Sequence, residues 1–112
     1  MFPFRRKARD PFYDNPARLN ELLQSGSTFH LVDVRTADEY REGHIRGSVH
    51  IPYAEIDERP PTDDRSELIV VYCHSGGRSE TARRKLVAMG YERVYNFGGI
   101  LHWNGELVRE DA

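Results

Sequence analysis

The hydrophobic positions of this chain change period several times between its ends. Leu19, Leu22 and Leu23 recur at the i, i+3, i+4 spacing of one helix face. Asn15-Pro16 offers an N-cap residue with proline at the first helical position, and Gly26 offers a stop, so a helix is expected between them. Residues 29–34 (FHLVDV) read as a buried strand that ends at Arg35. Thr36 and Glu39 have capping-box spacing for a short helix that Gly43 terminates. A short strand from Ser48 to Ile51 closes at Pro52, and a helical turn is expected from Ala54 to Glu58.

Residues 60–64 (PPTDD) form a turn-rich loop. The unbroken apolar run Leu68 to Tyr72 predicts a strand buried on both faces, as in a parallel sheet covered by helices. A loop from Cys73 to Arg78 precedes a helix expected from Ser79 to Met89, with Ala82, Leu86 and Met89 on one face and Gly90 as its C-cap. Arg93 to Phe97 gives another strand. Ile100, Trp103 and Leu107, following Gly98-Gly99, space as one face of a final helix with Trp103 in the core. This alternation predicts an α/β fold, a single domain with a central, mainly parallel sheet and helices on both faces.

Composition narrows the class. The 112 residues suit one domain, and the net charge of −2 gives no basic surplus for nucleic acid. With 38% hydrophobic and 30% charged residues the chain is expected to fold as a globular protein, and no apolar run approaches the roughly 20 residues of a membrane span. Cys73 is the single cysteine, so an internal disulfide is impossible. Residues 1–12 read as an N-terminal extension to a domain spanning 13–112. Its cations (Arg5, Arg6, Lys7, Arg9) are not followed by the apolar segment of a secretory signal, and a cytoplasmic location is expected. Phe2, Phe4 and Phe12 beside those cations suit either a docking surface or an arm folded back on the domain.

The chemistry concentrates in residues 72–79 (YCHSGGRS), where a buried strand gives way to a helix. A helix N-terminus presents unpaired N–H groups and positive potential, Gly76 and Gly77 let successive N–H groups converge, and Arg78 adds a permanent cation. Those surroundings favour thiolate, which makes Cys73 the candidate nucleophile.

Three separated motifs extend this reading. Residues 31–35 (LVDVR) continue into Glu39-Tyr40; residues 43–52 (GHIRGSVHIP) follow; and the Cys-x-x-Gly-x-Arg-Ser loop of Cys73 to Ser79 precedes Gly98-Gly99 and Trp103. Together, over about residues 13 to 108, they resemble the single-domain rhodanese (thiosulfate sulfurtransferase) family, with Ser48 where that family usually has alanine. The resemblance implies a ping-pong sulfurtransferase. Cys73 would take the sulfane sulfur of a donor such as thiosulfate as a persulfide, then pass it to cyanide or a thiol, with a protein acceptor also allowed. It implies catalytic roles for Cys73 and Arg78, and a cradle for substrate sulfur from His74, Ser75, Gly76, Gly77 and Ser79. Asp33 and Arg35 would brace the loop, and no metal or organic cofactor is required.

Other candidates read as structural. His44 suits the turn between helix and strand, while His30, His50 and His102 lack metal-ligand spacing. The Arg83-Arg84-Lys85 run suits a solvated helix face. A phosphatase or arsenate reductase on a similar fold needs one more residue between nucleophile and arginine than the four present here, and a reductase also needs a resolving thiol. A persulfide carrier, or a rhodanese-like interaction module, remains the alternative.

Overall fold

The computed structural model describes residues 10–109. The basic residues and Phe2 and Phe4 of the N-terminal arm lie outside them. Four strands, β1 (Phe29–Asp33), β3 (Val49–His50), β4 (Leu68–Cys73) and β5 (Arg93–Gly99), form one sheet in the order β3-β1-β4-β5, every pair parallel. Helix α1 (Pro16–Gln24) precedes β1, α2 (Ala37–Glu42) follows it, and α3 (Gly77–Ala88) joins β4 to β5.

The period-two pattern of β4 divides the core. Ile69, Val71 and Cys73 join Ala82 and Leu86 of α3 on one face, while Val70 and Tyr72 join Leu19 of α1 and Phe97 on the other. Burial on both faces explains why β4 is continuously apolar. Leu19 is fully buried, worth about 2 kcal/mol of transfer free energy. The expected start signals operate: Asn15 accepts the Arg18 N–H, and Thr36 and Glu39 make a reciprocal capping box.

From β1 the chain crosses to β3 on one side, and from β4 to β5 on the other. The carboxyl ends of β1 and β4 therefore flank a topological switch point, where open α/β sheets bind ligands. Asp33 ends β1 and Cys73 ends β4. The sequence motifs thus arrive together.

Several elements differ from expectation. Helix α3 begins at Gly77, two residues early, so Arg78 and Ser79 lie in its first turn. The helical turn expected from Ala54 to Glu58 is present but does not extend into a helix: residues 53–58 make turns, with Glu58 N–H and Arg59 N–H both bonded to the Glu55 carbonyl. The final helix is absent. Ile100–His102 is a single 3-10 turn, and Leu107–Val108 forms β6, antiparallel to β2 (His44–Ile45), which the sequence pattern had not revealed. Gly105 explains the difference: a Cβ there would lie 2.7 Å from the Trp103 indole, so the chain folds back across the ring instead of continuing helically. Trp103 is half-buried, edge-on to Phe97 at 6.2 Å, rather than central to the core. Among the described residues no helix is long and apolar enough to cross a membrane.

Candidate active site

Cys73 sits at the end of β4 with its side chain on the α3 face, and the following residues curl back over it. Gly76 makes that return possible with φ +112°, a left-handed conformation that side chains disfavour. Its N–H points at the Cys73 Sγ from 3.0 Å, while the Ser79 hydroxyl approaches from the first turn of α3 at 3.4 Å. Burial opposes ionisation of the thiol. The Ser79 hydroxyl and the N–H groups of Ser79, Gly76 and Ser75 outweigh it and hold Cys73 below its ordinary pKa. Gly77 has no positive φ and serves as an ordinary first helical residue. His74 and Ser75 are exposed on the loop, and Ser79 is fully buried.

Glycine at 99 answers a different constraint. A Cβ there would stand 2.4 Å from the His74 carbonyl oxygen and 2.9 Å from the Ser75 Cα. Only a bare backbone lets the cysteine loop lie against β5. The strand also supplies Asn96, which sequence reasoning missed. Its side-chain amide donates to the Gly76 carbonyl at 3.3 Å and its oxygen accepts the Gly98 N–H at 2.8 Å. A buried asparagine inside a strand was the available signal, since Asn is unfavourable there unless it bonds to backbone.

Arg78 does not stand free. Its two terminal nitrogens fork onto the Glu39 carboxylate at 2.9 and 3.1 Å, and Glu39 Oε1 also accepts the Thr36 N–H. The Arg78 bonds, opposed by partial burial and helped by Thr36, lower the Glu39 pKa to about 2. Arg78 is raised in turn. Glu39 therefore caps α2 and anchors the cysteine loop, a second role that its capping-box position concealed.

Asp33 and Arg35 form a buried, bidentate pair, with Arg35 Nη2 2.6 Å from Asp33 and 2.7 Å from the Gly43 carbonyl. Arg35 thus ties β1 to the end of α2 rather than bonding to residues 74–79 directly. Its link to the loop runs through α2, whose Glu39 holds Arg78. Tyr72 completes the polar layer: its hydroxyl accepts the Ile45 N–H at 3.0 Å and lies 3.2 Å from Ser48 Oγ, and burial followed by the charge of Asp33 keeps it protonated. Serine at 48 thus has a buried polar partner.

The histidines take structural places. His44 is buried, its Nδ1 2.8 Å from the Tyr40 carbonyl and its ring stacked on Tyr40. His50 bonds the Arg35 carbonyl, His30 pairs with Glu67, and His102 pairs with Asp14. Arg83 and Arg84 pair with Glu80, and Lys85 lies 3.8 Å from Asp57. Among the described residues no group of three or more His, Cys, Asp or Glu is placed to hold a metal ion.

Comparison with known proteins agrees with this geometry. A family profile described as Rhodanese-like domain matches residues 15–106. The putative sulfur carrier protein YrkF of Bacillus subtilis is 32% identical over 92% of this chain, which spans 60% of that relative's length. Thiosulfate sulfurtransferase PspE of Escherichia coli is 38% identical over 63% of this chain and 70% of its own. A solved rhodanese with anions from E. coli superposes with a TM-score of 0.70 at 33% identity, covering 74% of this chain and all of the other. The chain belongs to the rhodanese-like family of sulfurtransferases.

Proposed function

We propose that this protein transfers sulfane sulfur from a donor such as thiosulfate to a thiophilic acceptor through a persulfide on Cys73. The observation that carries the reading is the convergence of the Gly76 N–H and the Ser79 hydroxyl on one buried sulfur at the head of α3. Donors fixed there stabilise the thiolate, and after transfer the loop N–H groups from His74 to Ser79 hold the charge of the outer sulfur.

The Cys73 thiolate attacks the outer sulfur of thiosulfate. A new S–S bond forms at Cys73, the donor's S–S bond breaks, and its electron pair leaves with sulfite. Cyanide then attacks the outer sulfur of the persulfide. A C–S bond forms, the S–S bond breaks, and the pair returns to Cys73 as thiolate while thiocyanate departs. An acceptor thiol reacts at the same atom. Arg78 orients the anionic donor while Glu39 fixes where its guanidinium sits. The carrier alternative is favoured by the YrkF likeness. In that case the same persulfide forms but a partner protein, not free thiosulfate, loads it.

Thiocyanate production from thiosulfate and cyanide tests the reading. The wild type is expected to turn over steadily, and Cys73→Ala to be inactive while still folded. A folded wild type that loads sulfur only from a protein persulfide would support the carrier reading instead.

A further inference from the structure

One aromatic side chain stands at the cysteine loop without belonging to any of the motifs above. Residues 10–14 form a turn pinned to β5: Asp10 accepts the Asn96 N–H at 2.7 Å, Phe12 is buried in the α1-side core, and the Asp14 N–H donates to the Phe97 carbonyl at 2.8 Å. Asp14 closes the turn in a left-handed conformation, φ +53°, and its carboxylate meets His102 at 2.8 Å. The product of this anchoring is the placement of Tyr13 over two glycines of positive φ. A Cβ on Gly98 would lie 3.1 Å from the Tyr13 ring, and a Cβ on Gly76 would lie 3.4 Å from its hydroxyl. The ring therefore occupies a seat that only glycines leave open. Its hydroxyl sits beside the residue whose N–H holds the thiolate.

Two further facts give that hydroxyl something to do. Among the described residues none hydrogen-bonds it, and the side chain is 53% exposed, so it is open to solvent beside the loop. Arg78, the cation of the loop, is already forked onto Glu39. An anionic donor entering here meets a partly balanced charge and needs neutral O–H and N–H groups to replace its hydration. Tyr13 also lies outside the family-matched residues 15–106.

We propose that Tyr13 determines donor specificity: its ring walls the mouth over Gly76 and Gly98, and its hydroxyl donates a hydrogen bond to the oxyanion head of the incoming donor. This rests on the sulfurtransferase reading. Tyr13→Phe keeps the wall and removes the donor. In ping-pong kinetics, kcat/KM for thiosulfate reports sulfur loading alone, and kcat/KM for cyanide reports discharge alone. The variant is expected to lose about tenfold in the first, the scale of one hydrogen bond to a charged group. It should keep the second, and keep the wild-type rate of Cys73 reaction with an uncharged dialkyl trisulfide. There the thiolate attacks the central sulfur, forming a mixed trisulfide on Cys73 while one S–S bond breaks and its electron pair leaves with an alkanethiolate. The pH midpoint of Cys73 alkylation by iodoacetamide should stay unchanged, which a loop distorted by the substitution would move. Equal loading from thiosulfate by wild type and Tyr13→Phe would overturn the proposal, as would equal losses with both donors. A wild type that loads from neither donor would overturn the sulfurtransferase reading itself.

Discussion

Ser79→Ala isolates one of the groups that hold the Cys73 pKa down. The Ser79 hydroxyl has one proton and two acceptors, the Gly76 carbonyl at 3.1 Å and the Cys73 Sγ at 3.4 Å. Ionisation of Cys73 draws that proton toward sulfur. A hydrogen bond to a charged group contributes about 1.5–3 kcal/mol. The long contact and the competing carbonyl place this one at the low end, at about 1.5 kcal/mol, which is about one pKa unit. Removing it should raise the Cys73 midpoint by about that unit. Nucleophilicity rises with basicity at a Brønsted slope of roughly 0.4–0.5. Alkylation well below both midpoints should therefore slow by only about three- to fourfold, and above both it should quicken by about threefold. The assay is the iodoacetamide rate profile against pH, with Thr81→Ala as control, since the Thr81 hydroxyl meets the Gly77 carbonyl in the same helix. A profile for Ser79→Ala that overlays the wild type, or a fall in rate at every pH without a moved midpoint, would refute the reasoning.

Asp33→Ala leaves the buried Arg35 without its counter-charge and should cost about 3–5 kcal/mol, read from the denaturant midpoint; a cost under about 1 kcal/mol would show the pair to be incidental. Gly99→Ala places a methyl against the His74 carbonyl, so sulfur loading should fall by at least about tenfold in a protein that remains folded, because small displacements of a reacting group are expensive. Unchanged loading would mean that the loop relaxes freely. Glu39, depressed to about 2 by Arg78, stabilises the fold fully above the ordinary carboxylate pKa of about 4.3, and that contribution is lost as pH falls toward 2. Glu39→Gln should therefore lower stability by up to about 1 kcal/mol at pH 7, with the gap closing as both proteins are taken to about pH 2; a pH-independent gap in thermal midpoint would contradict the ion-pair account.

What the sequence made legible was what neighbouring residues decide. The caps of α1 and α2, the buried strand β4 and the cysteine loop all depend on residues within one turn or strand of each other. The parallel sheet followed from the alternation of those elements. Distance in sequence marks what was hidden. Glu39 and Arg78 meet only because β1 and β4 lie side by side, which brings α2 against the start of α3. Asn96 and Tyr13 reach the loop through β5, beside the cysteine strand. The C-terminal error had a local cause: Ile100, Trp103 and Leu107 keep a helical spacing, yet Gly105 and the open edge of β2 offer the chain a better course. Arg78, read from the sequence as the permanent cation of the loop, is paired with Glu39, a partner thirty-nine residues away that the local motif did not reveal.

The central claim is that Cys73 carries sulfur as a persulfide. Intact mass before and after brief incubation with thiosulfate tests it most directly, with Cys73→Ala alongside. The account predicts a gain of one sulfur atom, about 32 Da, on the wild type alone, and its removal by cyanide. No gain with thiosulfate or with any other sulfane donor, protein persulfides included, would contradict it.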